Sequence, residues 1–169
     1  MRHNILTWVK ECAKNLITKK ERIETSLNAE LSKMPTLGDI YLLRFDGTDQ
    51  EQSGVRPALI ISNNKGNQYS PNVIVLPLTT SLKKTNQPTH VILNAGEAGL
   101  QHDSMVLCEN PVCVSKKRLI RYLTTIKPQQ MEEVSAAYLL ATGAISRITE
   151  EKLIEIRNRA VSLDATQVA

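Results

Sequence analysis

Two short apolar runs carry the residues best placed for chemistry. Gly54-Val55-Arg56-Pro57-Ala58-Leu59-Ile60-Ile61-Ser62 sets one cation, Arg56, at the mouth of the first run. Val73-Ile74-Val75-Leu76-Pro77-Leu78-Thr79-Thr80 ends the second on two hydroxyls. Ala58–Ile61 and Val73–Leu76 are too short for ordinary helices and rich in β-branched residues, the pattern of strands buried on both faces. The segment between them, Asn63 to Pro71, reads as a turn-rich loop. A cation and hydroxyls at the ends of neighbouring core strands make a small polar site on a rigid base. Without further context, Arg56 fits a strand-end anchor ahead of Pro57 as well as a functional group.

The elements that position these residues follow from the rest of the chain. A length of 169 residues suits one domain with a real core. Aromatics are scarce, so Val, Ile and Leu must fill it. The net charge of +4 is mildly basic, compatible with a polyanion partner and not diagnostic of one. Residues 1–35 carry seven Lys/Arg against four Glu, so +3 of that excess lies at the front and only +1 beyond. Cys12, Cys108 and Cys113 form an odd set without metal-ligand spacing. Cys108 and Cys113 fall at or beside an expected strand, where buried free thiols are common. These features predict a reduced, cytoplasmic protein with no metal site and no cofactor. No run of about 18 apolar residues is present for a membrane helix. Lys10, Glu11 and Lys14 interrupt any signal-peptide core.

Residues 4–33 are helical in pattern, with Ile5, Val9, Cys12, Leu16, Ile23, Leu27 and Leu31 forming one stripe. Such a stripe packs on the body of the protein, on a second copy, or on a partner. From Thr36 the period changes to six short strands: Ile40–Leu43, the two core runs, Thr89–Leu93, Ser104–Cys108 and Leu119–Thr124. That spacing predicts a small barrel or sandwich. After Pro128 the helical period returns through Met131, Val134, Ala137, Tyr138, Ala141 and Ile145. Thr149 with Glu150 and Glu151 predicts a capped last helix facing inward through Leu153, Ile156 and Ala160, with Asp164–Ala169 frayed.

In order, Leu37-Gly38-Asp39-Ile40-Tyr41, Glu51-Gln52-Ser53-Gly54-Val55-Arg56-Pro57-Ala58-Leu59-Ile60-Ile61-Ser62-Asn63 and Tyr69-Ser70-Pro71 make a familiar succession of blocks. It continues as Val73 to Thr80, Pro88-Thr89-His90-Val91 and Asp103-Ser104-Met105-Val106-Leu107-Cys108-Glu109. This resembles the MazF/PemK family of toxin endoribonucleases over residues 36–146. The resemblance implies a mainly β fold, an SH3-like or CcdB-like small barrel with C-terminal helices, here with an added N-terminal helix. Residues 1–35 would be the extension and 36–169 the barrel domain. It also implies metal-independent cleavage of single-stranded RNA, a cognate antitoxin that inhibits it, a homodimer, and contact with DNA only through the antitoxin complex. Three blocks depart from the family pattern. Leu37 replaces an Arg, the loop before Arg56 reads Gln50-Glu51-Gln52-Ser53-Gly54, and Val112 stands where the family carries an Arg.

The residues of the site follow from that resemblance. Cleavage by the ribose 2′-OH requires removing its proton, stabilising the phosphorane and protonating the leaving oxygen. Arg56 matches the catalytic arginine, a poor base whose fork grips two phosphate oxygens. Thr79 matches the catalytic threonine. Glu51 and Gln52 belong to the loop matched to one that orients the arginine. Ser104, Glu109 and Asn110 match RNA-recognition positions; Lys83 and Lys84, in the loop after Thr79-Thr80-Ser81, fit phosphate contacts or a plain solvated loop. Histidine is the side chain most often used as a base near neutral pH, yet the Thr-His-Val run around His90 reads as a structural or RNA-contacting histidine; the general base is unassigned. The Lys116-Lys117-Arg118 run reads as solvated surface. A second class stays open: a non-catalytic module on the same barrel, such as a CcdB-like gyrase poison or a MazF-like chain that no longer cuts.

Overall fold

The computed structural model describes Thr18 and residues 33–47, 53–83 and 86–165. The helix expected over residues 4–33 lies outside these apart from Thr18 and Lys33. Seven strands and four helices follow: β1 (Asp39–Asp46), β2 (Ser53–Ile60), α1 (Asn64–Tyr69), β3 (Asn72–Thr79), β4 (His90–Leu93), α2 (Ala95–Ala98), β5 (Ser104–Leu107), β6 (Val112–Ser115), β7 (Leu119–Thr125), α3 (Pro128–Ala141) and α4 (Glu150–Ala165). All ladders are antiparallel and the strand order is β4-β5-β3-β2-β1-β7, with β6 attached to β3.

Strand β3 is the pivot. Its first half, Asn72–Val75, pairs with β6, and its last residues, Leu78 and Thr79, pair with β5. Its other edge meets β2 only over Val75–Pro77. The sheet has a core on each face. Ile40, Leu59, Leu76, Leu78 and Val106 lie on one, closed by Val134 and Ala137 of α3. Tyr41, Leu43, Ala58, Ile60, Val73 and Val75 lie on the other. Helix α3 forms where the sequence predicts it. Pro128 sits in its first turn, and the Lys127 N–H donates to Gln130 Oε1 at 2.9 Å.

Several expectations change. The expected barrel is an open sheet among the described residues, since β4 and β7 end the path without a shared ladder. The sheet has a seventh strand, β6, and the loop after Ser62 contains the helix α1, whose first turn is capped by Asn63 accepting from the Gly66 N–H at 2.7 Å. The run Val73–Leu76 is not buried throughout, because Ile74 alternates outward and is 40% exposed. Cys108 is buried as expected, whereas Cys113 is exposed on β6. Thr149 caps α4 through the Lys152 N–H at 3.3 Å. That helix does not turn Ile156 inward, since it is 47% exposed, and it runs through Asp164 to Ala165. The basic run is engaged rather than simply solvated. Lys116 Nζ donates to the Asn67 carbonyl and Arg118 pairs with Asp46 at 3.1 Å.

One buried polar group ties the start of the body to its sheet. Asp39 Oδ1 accepts from Lys33 Nζ at 2.9 Å and Thr125 Oγ1 at 2.6 Å; Oδ2 accepts from the Thr36 N–H at 2.9 Å and its hydroxyl at 2.8 Å. Lys33 also lies 3.6 Å from the centre of the Tyr122 ring, and Tyr41 donates to the Lys33 carbonyl. Burial pushes the Asp39 carboxyl up, but the Thr125 hydroxyl, the Lys33 ammonium and the two Thr36 donors together hold it below its ordinary 3.8. The same setting, burial first and then the Asp39 charge, pushes Tyr41 up to about 12. A lowered carboxylate value stabilises the fold above the unfolded value, and this contribution is lost as pH falls through the folded one. Melting curves taken into acid should therefore show Tm falling below pH 3.8, with a smaller acid-dependent fall in Asp39→Asn.

Candidate active site

The site begins where two strands part. The β2–β3 ladder runs Ile60↔Val75, Leu59↔Leu76, Ala58↔Pro77 and stops. Pro57 and Pro77 bring no N–H, so neither can donate a further ladder bond. Beyond that point β2 stays on β1, Arg56 opposite Leu43, while β3 turns to β5, Thr79 opposite Met105. Arg56 and Thr79 each stand two residues past the last pair, at the mouth of this notch. Strand alternation puts both on one face, Arg56 with Ala58 and Thr79 with Pro77. The fold thus places the cation and the hydroxyl singled out in the sequence at the same end of the β2–β3 ladder and on one face.

Local bonds orient both groups. Arg56 Nη2 donates to the Ser53 carbonyl at 2.7 Å, folding the guanidinium over the start of β2. Thr79 Oγ1 accepts from the Ser81 N–H at 3.1 Å, so its own proton can be donated to a ligand. A guanidinium and a hydroxyl donor facing the same way at the end of a rigid sheet are suited to anionic oxygens. Lys83 is exposed in the turn that follows. Glu51, Gln52 and Lys84 lie outside the described residues.

The remaining candidates are elsewhere. His90 Nε2 is 2.9 Å from Glu109 Oε1, with the His90 side chain 5% exposed. This pair clamps β4 to the β5–β6 turn, which the Asn110 N–H closes on the Leu107 carbonyl. With β5 between β4 and β3, the pair is set apart from Thr79. Ser104 is buried, donates to the His102 carbonyl at 3.0 Å, and pairs with Leu93 on the opposite sheet face. There it lines a cleft of about 420 Å³ with Leu42, Pro57, Thr80, His102 and Arg121. Sequence reasoning passed over this cleft and Arg121, since a single charged residue in a strand of mixed pattern gives no signal. Among the described residues no group of His, Cys, Asp and Glu is placed to hold a metal.

The family described as PemK-like, MazF-like toxin of type II toxin–antitoxin system matches residues 36–141. The chain is 38% identical over 107 residues to Endoribonuclease MazF of Staphylococcus saprophyticus, covering 63% of this chain and 89% of that protein. Among solved structures, an endoribonuclease in complex with its cognate antitoxin from a Mycobacterial species is 28% identical with a TM-score of 0.55, over 64% of this chain and 95% of the other. MazF from Deinococcus radiodurans, at 24% identity, shares the fold with a TM-score of 0.59 over 66% of this chain and 99% of the other. With its notch residues Arg56 and Thr79 inside the matched region, the chain belongs to the PemK-like, MazF-like family of type II toxins.

Proposed function

We propose that this protein is the toxin of a type II toxin–antitoxin pair, an endoribonuclease that cuts single-stranded RNA at the notch between β2 and β3. The observation that carries this is Arg56 and Thr79 on one face at the point where the two strands separate. Arg56 stabilises the charge that builds on the phosphate, and the Thr79 hydroxyl holds one of its oxygens while the neighbouring 2′-OH attacks. No metal is required for either task. The products are a cyclic phosphate and a 5′-hydroxyl. Glu51 and Gln52 steady Arg56 and the substrate, while Lys83 and Lys84 meet phosphates. Ser104, Asn110 and the clamped pair His90–Glu109 shape the path of the strand. The engaged state of His90 favours a positioning role over that of general base.

The protein acts as a cytoplasmic homodimer with an open relative of the SH3-like, CcdB-like barrel at its centre. It is held inactive by a cognate antitoxin and meets DNA only through that complex. Residues 1–35 form an extension to a domain of residues 36–169, but Lys33 at its end is not dispensable. Lys33 is bonded to buried Asp39, so a chain that lacks residues 1–34 loses this pair. Light scattering and melting of a chain that begins just before Lys33 should show a dimer of near-native stability; one that begins at Pro35 should melt lower.

The hydroxyl supplies the test of the chemistry. Thr79→Val keeps the shape and removes the donor, and should lower RNA cleavage by about 10²-fold with the Tm unchanged. Thr79→Ser should recover most of the rate. Full activity in Thr79→Val would exclude the hydroxyl from the reaction. A chain without ribonuclease activity would instead act as a CcdB-like binding module.

A further inference from the structure

The cleft on the sheet face opposite Arg56 and Thr79 has so far contributed only Ser104 to the path of the strand, and the rest of its lining has a chemistry of its own. At about 420 Å³ it falls within the size of small-ligand sites, about 300–1,000 Å³. One wall is apolar, from Leu42 and Leu100, while Thr80 and Gln101 bring a hydroxyl and an amide to its rim. A second depression of about 200 Å³ shares Arg121 and Tyr122 with it and adds Lys33 and Lys116. Among the described residues no Asp or Glu lines either depression. Lys33 is neutralised by Asp39 and Lys116 is bonded to Asn67. Arg121 is exposed and has no ion pair or side-chain hydrogen bond among the described residues. Its five donors are therefore available to a ligand.

Placement links this cation to the notch. Arg121 pairs with Leu42, and Leu42 pairs with Pro57, the residue next to Arg56. Two strand spacings, about 10 Å, separate the Arg121 and Pro57 backbones. Thr80, on the other side, follows Thr79 directly. The cleft and the candidate catalytic pair thus flank one opening from its two faces, within reach of a few nucleotides of a single strand.

We propose that this cleft is a nucleotide subsite for single-stranded RNA beyond the scissile position, with Arg121 holding a phosphate, Leu42 and Leu100 receiving a base, and Gln101 and Thr80 reading its edge. The inference rests on the endoribonuclease reading for its substrate, and it adds a specificity determinant that the catalytic pair lacks. An acid-free lining with one unengaged guanidinium favours a phosphodiester over a protein segment. Apolar walls with a polar rim suit a flipped-out base.

The test separates binding from cleavage. A 2′-O-methyl single strand lacks the attacking hydroxyl, so its affinity can be measured on the intact protein at several salt concentrations. Arg121→Gln should weaken it by ~10-fold and lower the salt slope by about one phosphate contact. Gln101→Ala should keep that slope and relax base preference at one position. Both side chains are exposed, so the Tm of each variant should match the wild type. Unchanged affinity and slope in Arg121→Gln overturn the subsite. Unchanged strand binding with loss of the cognate antitoxin from the purified complex would make the cleft a protein-docking surface instead. A wild type that binds the modified strand in this manner but leaves unmodified RNA intact keeps the subsite and removes the nuclease reading.

Discussion

Arg56→Ala is expected to lower RNA cleavage by about 10²–10³-fold while the protein melts as the wild type does, because one preorganised charge stabiliser carries about that much of a rate. The fold has little to lose at this position. Arg56 stands beyond the last β2–β3 pair, exposed enough at the strand end that its Nη2 turns back to the Ser53 carbonyl three residues away. Its neighbours in the sheet, Leu43 and Ala58, are buried through their own contacts. Arg56→Lys keeps the charge and loses the fork, so it should recover only part of the rate. A collapse in Tm with Arg56→Ala would show that the residue is a strand-end anchor and not a catalytic group.

The largest effect on stability is expected at Asp39. Its side chain is fully buried and accepts four hydrogen bonds, from Lys33, Thr125 and two donors of Thr36. Asp39→Ala strands the Thr36 and Thr125 donors, although Lys33 can rehydrate. The cost should be about 3 kcal/mol, the lower end for a broken buried pair. That corresponds to a fall in Tm on the order of 10 °C. Lys33→Met should cost less, since it leaves the other three donors in place. Cleavage per folded molecule should change little in either variant, which separates this network from the notch. A Tm unmoved by Asp39→Ala would mean that solvent replaces the carboxylate.

The strand-end positions of Arg56 and Thr79 were legible in the sequence because the two residues flank apolar runs that strands bury. What the residues could not reveal was why the runs part where they do. That depends on Pro77 pairing with Ala58, directly beside Pro57, a matter of register. Strand β6 escaped notice because Val112, Cys113 and Val114 are too few to show a period, and its pairing is supplied by β3. Helix α1 was hidden by a turn-like composition. Asn63 caps it, and buried Asn67 bonds to the Ser62 carbonyl at 2.9 Å, contacts visible only after folding. The sheet stays open because its end strands never meet, which strand count alone does not determine. In sequence Ser104 reads as an RNA-recognition position and His90 as a structural or RNA-contacting residue; alternation turns Ser104 to the other face, and Glu109 engages His90. Arg121 had no signal at all. It gains meaning only from the acid-free cleft that the fold builds around it.

The chemistry of the cut ends tests the central claim most directly. The purified protein is incubated with a long single-stranded RNA in excess EDTA, and the termini of the fragments are identified. Attack by the 2′-OH at a phosphate held by Arg56 and Thr79 predicts undiminished cleavage, with 5′-hydroxyl and cyclic-phosphate ends. Cleavage that needs added Mg²⁺, or fragments that carry 5′-phosphates, would contradict it.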